Sequence, residues 1–198
     1  MIGKAVFPVE PWQVREATLD LDVLAQTESV FALSNGHIGL RGNLDEGEPH
    51  AILGSYLNSF YEQRPLPYPE GGYGYPEQGQ TVVNVTDGKL IRLMVDDEQF
   101  NVTHGRLLSH ERVLDLRSGL LRRSVDWVSP AGRRVRIRSS RLVSFTQRAV
   151  AAIDRRASDT SRVLVTRTVR PLGERHSVIR RSTPARRSSV RRCSMISP

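Results

Sequence analysis

Long apolar runs, paired cysteines and, for a chain of 198 residues, aromatic rings are all scarce in this sequence. No stretch approaches the roughly 20 residues that a membrane-spanning helix needs, and Pro8 stands where a secretory signal would have its apolar centre. A cytoplasmic chain with no membrane partner is the expectation. Cys193 is alone, which excludes an internal disulfide and a thiolate-cluster zinc site. His37, His50, His104, His110 and His176 show no metal-ligand spacing, so neither a metal nor a cofactor is expected. No Gly-x-Ser-x-Gly elbow is present to strain a nucleophilic serine for acyl transfer. Gly36, Gly39 and Gly42 have the look of a phosphate loop, but the acidic, turn-like Asn43-Leu44-Asp45-Glu46-Gly47 follows where a helix N-terminus is required. The rest of the composition, 38% hydrophobic and 25% charged, suits one globular domain with or without a tail.

The net charge of +8 is unevenly placed. Residues 155–198 hold 12 Arg and no Lys against Asp159 and Glu174, net +10, which leaves 17 basic and 19 acidic groups, net −2, in residues 1–154. The tail has 12 Ser plus Thr, no Phe, Trp or Tyr, and little apolar material for a core, so disorder is expected beyond a boundary near Asp154. Three readings fit it: a phosphate-binding basic arm, a solvated extension, or out-of-frame translation of GC-rich DNA. The all-Arg, Ser- and Pro-rich composition favours the third, and nucleic acid is not the expected partner.

In residues 1–154 short β-type segments alternate with Gly, Pro, Asn and Asp, and no helical period is sustained over three turns. The expectation is an all-β, antiparallel sandwich. The clearest hairpin joins Leu120–Ser129 to Arg133–Ser140 through Pro130-Ala131-Gly132, with Arg134, Arg136 and Arg138 on the watery face and Val135 and Ile137 on the other. Its first arm shares an apolar side among Leu121, Val125 and Trp127 only if Arg123 turns inward or the strand bulges. Further strands are expected at 12–19, 30–33, 37–41, 51–57, 81–85, 90–95 and 113–117, with an Asn35-Gly36 turn and an Asp87-Gly88 turn between some of them. Leu21–Thr27 is the one short helix, with Asp20 as its cap. Arg64–Gln80, rich in Pro and Gly and carrying Tyr68, Tyr73 and Tyr75, is expected to be a long loop whose rings stack on a sugar, meet a protein partner or pack back onto the sheet.

Carboxylates for glycoside chemistry exist at Asp45, Glu46, Glu48, Asp96, Asp97 and Glu98, and solvated turns are the expectation for them. The stretch Glu28-Ser29-Val30-Phe31-Ala32-Leu33-Ser34-Asn35-Gly36-His37-Ile38-Gly39-Leu40-Arg41-Gly42-Asn43 closely resembles the amino-terminal domain of glycoside hydrolase family 65. The likeness continues through Ser55–Glu62, Gly74–Glu77, Leu114–Gly119 and Ser129–Gly132, in the family's order, over about residues 8–154.

That resemblance implies a β-sandwich of the galactose mutarotase-like super-sandwich kind, here incomplete. In the family it precedes an (α/α) barrel that carries the catalytic acid and holds phosphate. The implied substrates are trehalose, maltose or kojibiose, with inorganic phosphate as co-substrate in the phosphorylases, and the family assembles as homodimers. Residues 1–154 are then a partial sandwich without activity of its own, and no catalytic residue carries over. Asn35, His37, Arg41, Tyr68, Tyr73 and Tyr75 are the candidate carbohydrate contacts. A small carbohydrate- or nucleic-acid-binding module is the alternative.

Overall fold

A computed structural model describes residues 7–159. Its main element is a six-stranded antiparallel sheet built from β1 (Val9–Glu10), β2 (Gln13–Glu16), β10 (Arg106–Asp115), β11 (Leu120–Val128), β12 (Arg134–Val143) and β13 (Ala151–Asp159), in that spatial order. Between β2 and β10 the chain forms helix α1 (Leu24–Val30), the three-stranded sheet β3 (Leu33–Ser34), β4 (Ile38–Leu40) and β5 (Ser55–Leu57), and two hairpins. These are β6 (Tyr61–Pro65) with β7 (Gln78–Val82), and β8 (Met94–Val95) with β9 (Glu98–Gln99).

The hairpin of β11 and β12 forms as its turn residues dictate. Gly132 takes φ 83° and its N–H donates to the Ser129 carbonyl at 2.8 Å. Arg134, Arg136 and Arg138 face water. On β11 it is Arg123 that turns inward, 6% exposed, while the register irregularity lies on β10 between Leu107 and Ser109. The Asn35-Gly36 turn joins β3 to β4 with Gly36 at φ 80°, and the Asn35 carboxamide oxygen accepts the N–H groups of His37 and Ile38 at 2.9 and 2.8 Å.

Several expected boundaries shift. The segment 30–33, expected as a strand, is divided between the end of α1 and the start of β3. Helix α1 begins at Leu24, not Leu21, because the Asp20 carboxylate accepts the Asp22 N–H at 2.9 Å in a local turn and does not cap the helix. The ends of the expected 64–80 loop are strands: β6 and β7 pair from Tyr61 with Val82 to Pro65 with Gln78, and the loop proper is their tip. The composition break at Asp154 falls within β13, and residues 160–198, which hold most of the Arg-rich tail, lie outside the described residues.

One face of the main sheet is covered, in two places. At one end Phe31, Leu33, Ile38 and Leu40 pack on Leu114, Leu121, Val143 and Ala151. At the other, Leu44, Leu93, Val95, Phe100 and Val102 pack on Val125, Trp127, Val135 and Ile137. Phe100 meets Trp127 edge-on, ring centres 5.2 Å apart. The layers are those of an antiparallel sandwich.

Candidate functional site

Between those two apolar regions the covered face carries a band of charge. The register places Glu16, Arg112, Arg123, Ser139 and Arg155 side by side on five neighbouring strands, all on the covered side. His110 and Arg141 extend the band by one step along β10 and β12. The segment after β4 delivers Asp45 and Glu46 onto it from above.

Nearly every polar group in the band has a partner. Arg112 grips Glu16 with Nε at 2.5 Å and Nη2 at 3.0 Å, donates to the Gly42 carbonyl at 2.8 Å, and lies 4.6 Å from the centre of the Phe31 ring. Arg123 holds Glu46 through both terminal nitrogens, at 2.5 and 2.8 Å, and donates from Nε to His110 Nε2 at 3.1 Å. Arg141 pairs with Asp45 and donates to the Asn43 and Arg41 carbonyls, both at 3.1 Å, while the Ser139 hydroxyl donates to the other Asp45 oxygen at 2.5 Å. Burial alone would raise the Asp45 pKa. The guanidinium groups of Arg141, Arg155 and Arg123 and the Ser139 hydroxyl outweigh it and hold the carboxyl well below the usual carboxylate range.

Burial, reinforced by Arg123 and Arg112, pushes His110 down to about 2, so the ring is neutral and accepts on Nε2. Its Nδ1 has no hydrogen-bond partner and lies 3.7 Å from Glu16. Arg155 is the outlier: its Nη1 donates to the Ile91 carbonyl, but Nε and Nη2 have no hydrogen-bond partner, and Glu46 is 3.9 Å away. A cavity of about 10 Å³ lies among Asn43, Asp45, Arg123 and Arg141, room for one water molecule and not for a sugar.

Asp45 and Glu46, expected in a solvated turn, are therefore buried partners of arginine, whereas Glu48, Asp96 and Asp97 are exposed. Of the band, only Arg123 left a trace in the sequence, as a break in the alternation of β11. The partners of Arg112 and Arg141 come from 70 to 100 positions away, so pairing was invisible locally.

The candidate sugar contacts lie in three places. Asn35 holds a turn: its amide donates to the Ser144 and Arg148 carbonyls at 2.6 and 2.9 Å, and half-buried His37 sits beside it. Arg41 lies against α1, donating to the Ala25 carbonyl at 3.1 Å and facing Glu28 at 3.6 Å. Tyr68 and Tyr75 pack at 4.9 Å in the β6–β7 tip, and Tyr73 is fully exposed. Among the described residues no hydrogen bond or ion pair joins those tyrosines to Asn35, His37 or Arg41, no group of three His, Cys, Asp or Glu is placed to hold a metal ion, and no helix is long and apolar enough to cross a membrane.

Comparison with known proteins agrees with this architecture. Residues 14–165 match the family model for the N-terminal domain of glycosyl hydrolase family 65. An uncharacterized glycosyl hydrolase of Mycobacterium tuberculosis is 67% identical over 154 residues, covering 78% of this chain and 20% of that protein. The alpha,alpha-trehalose phosphorylase of Thermoanaerobacter brockii is 41% identical over 154 residues, 76% of this chain and 20% of that protein. A solved structure assigned to kojibiose phosphorylase, from the human microbiome, is 26% identical with a TM-score of 0.67, covering 77% of this chain and 20% of that one. The chain thus spans about a fifth of the length of these relatives. Extent of match, identity and fold agree: the chain belongs to glycosyl hydrolase family 65, in the family's N-terminal domain.

Proposed function

We propose that this domain is the non-catalytic scaffold of an enzyme that cleaves an α-glucosidic disaccharide, trehalose, maltose or kojibiose, by phosphate or water. Relatives named trehalose, maltose and kojibiose phosphorylase supply the substrate class. The observation that carries the scaffold role is the state of the buried acids. A glycosidase acid needs a carboxyl with a raised pKa facing a sugar-sized cleft. Arginine and serine instead hold Asp45 well below the usual carboxylate range, Glu16 and Glu46 are each gripped by a guanidinium, and the space beside them fits one water.

The six candidate sugar contacts keep a place in this reading. Tyr68, Tyr73 and Tyr75 offer ring faces at the end of an arm, Asn35 shapes the turn that presents His37, and Arg41 ties the following segment to α1. Incubating the chain with each disaccharide, with and without phosphate, should release neither glucose nor glucose 1-phosphate; turnover by this chain alone defeats the scaffold reading.

A further inference from the structure

Trp12 is the one large residue with a left-handed backbone among the described residues. Strands β1 and β2 join through Pro11-Trp12, with Glu10 paired to Gln13, and Trp12 has φ 61°. A turn with Pro first and a positive φ second ordinarily uses glycine, because a Cβ crowds the neighbouring carbonyl. A bulky residue there is strained and persists where something besides the turn requires it. Core packing is not that requirement, since Trp12 is 59% exposed. Nor is the backbone, since the hydrogen bond from Leu116 N–H to the Trp12 carbonyl, 2.9 Å, is open to any residue. The side chain's contact is with Arg117, whose guanidinium carbon lies over the ring, 5.2 Å from its centre. The indole rests against this guanidinium while more than half of it meets solvent.

We propose that Trp12 and Arg117 form a carbohydrate-binding platform at the sheet edge, separate from the tyrosine arm. The ligand class, an α-glucosidic pyranose, rests on the disaccharide reading above. The C–H face of such a ring stacks on the indole face opposite Arg117, and its hydroxyls reach round the ring edge to accept from the guanidinium. Charged and amide groups, Glu10, Gln13, Arg15 and Asp115, occupy the adjoining strand positions, which suits a polyhydroxylated ligand better than the charge-poor centre of a protein interface. Exposed Val9 and Leu116 would favour a protein instead, and the measurements below separate the two.

The only other tryptophan, Trp127, is fully buried, so the long-wavelength edge of tryptophan emission reports Trp12. Titrating the full chain with maltose or trehalose should change that edge saturably, with a dissociation constant in the millimolar range, and the Tyr68→Ala/Tyr75→Ala variant should keep the response. Calorimetry on Trp12→Gly should show sugar binding lost, with the melting temperature level or raised by about 2–4 °C as strain is relieved. No saturable change up to roughly 50 mM of either sugar overturns the proposal. So does undiminished binding in Trp12→Gly, a melting temperature several degrees lower in that variant, or a self-associated wild type that the variant renders monomeric. The indole readout does not depend on turnover, so the platform and the scaffold reading fail separately.

Discussion

At Arg155 the buried band holds one guanidinium more than its carboxylates serve: Arg112, Arg123, Arg141 and Arg155 face Glu16, Asp45 and Glu46. Burial pushes the Arg155 pKa down, and Asp45 and Glu46 only partly offset it while Arg123 and Arg141 add to it. Replacing such a group with an apolar one of similar length removes a desolvation cost, so Arg155→Met is expected to raise the melting temperature. Arg123→Met is expected to do the reverse, costing about 3–5 kcal/mol in chemical denaturation, because it strands the Glu46 carboxylate and leaves His110 without its donor. His110 gives a pH signature. Its folded pKa lies below that of the unfolded chain, so the native state binds fewer protons and stability falls as pH drops from about 6.5 towards 2, by up to about 1.4 kcal/mol per pH unit. His110→Gln should flatten that slope between pH 6.5 and 5, where Asp45 is still ionised in both states. Below the unfolded Asp pKa near 3.8 the depressed Asp45 adds a loss of the same sign.

Among the elements, the hairpin of β11 and β12 was legible because a Pro-Ala-Gly turn and the alternation of β12 leave little choice of partner, whereas only Val113–Asp115 of β10 fell within an expected strand, since inward His110 and Arg112 break its apolar pattern. Short strands such as β2, β4 and β5 fell inside expected segments that ran longer than the strands themselves. Helix α1 has under two turns and lost its expected cap to a local Asp20 turn, so tertiary packing sets where it begins. Gly42 shows that packing directly: its N–H donates to the Glu28 carbonyl at 2.7 Å, and an added Cβ would lie 2.6 Å from the Phe31 Cβ and 3.0 Å from Glu28 backbone oxygen. Gly42→Ala is expected to cost about 1–3 kcal/mol by forcing the chain away from α1, measurable by urea denaturation. The β6–β7 arm stands at the other extreme. Both its strands are exposed on both sides, and a lone two-stranded ribbon is marginal in water. Brief chymotrypsin treatment should cut first after Tyr73, since Tyr68 and Tyr75 are each followed by a proline that blocks cleavage, and before any site in β10–β12.

Taken whole, the molecule ends its main sheet on β13, nine residues long, with one edge unpaired among the described residues. An uncovered edge of that length recruits other chains, so concentration-dependent association in sedimentation velocity is expected, and a monomer at all concentrations would contradict it. The break in composition after Asp154 motivates the proposal that the Arg-rich tail derives from a shifted reading frame, although the family match runs on to residue 165; coding DNA with no β-like pattern in its other two frames past that stretch would dismiss it. The sequence showed the β class and the family likeness, but not the stripe of ions between two oily pools, because its members meet only across the finished sheet. That stripe has a further effect on assembly. Sliding a strand by two residues would keep every inward side chain inward and satisfy hydrophobicity almost as well. It would also push Arg123 or Arg112 in among leucines and valines while abandoning Glu46 or Glu16. Oil alone tolerates several alignments of these strands; the guanidinium row accepts one, and so acts as the vernier of the sheet.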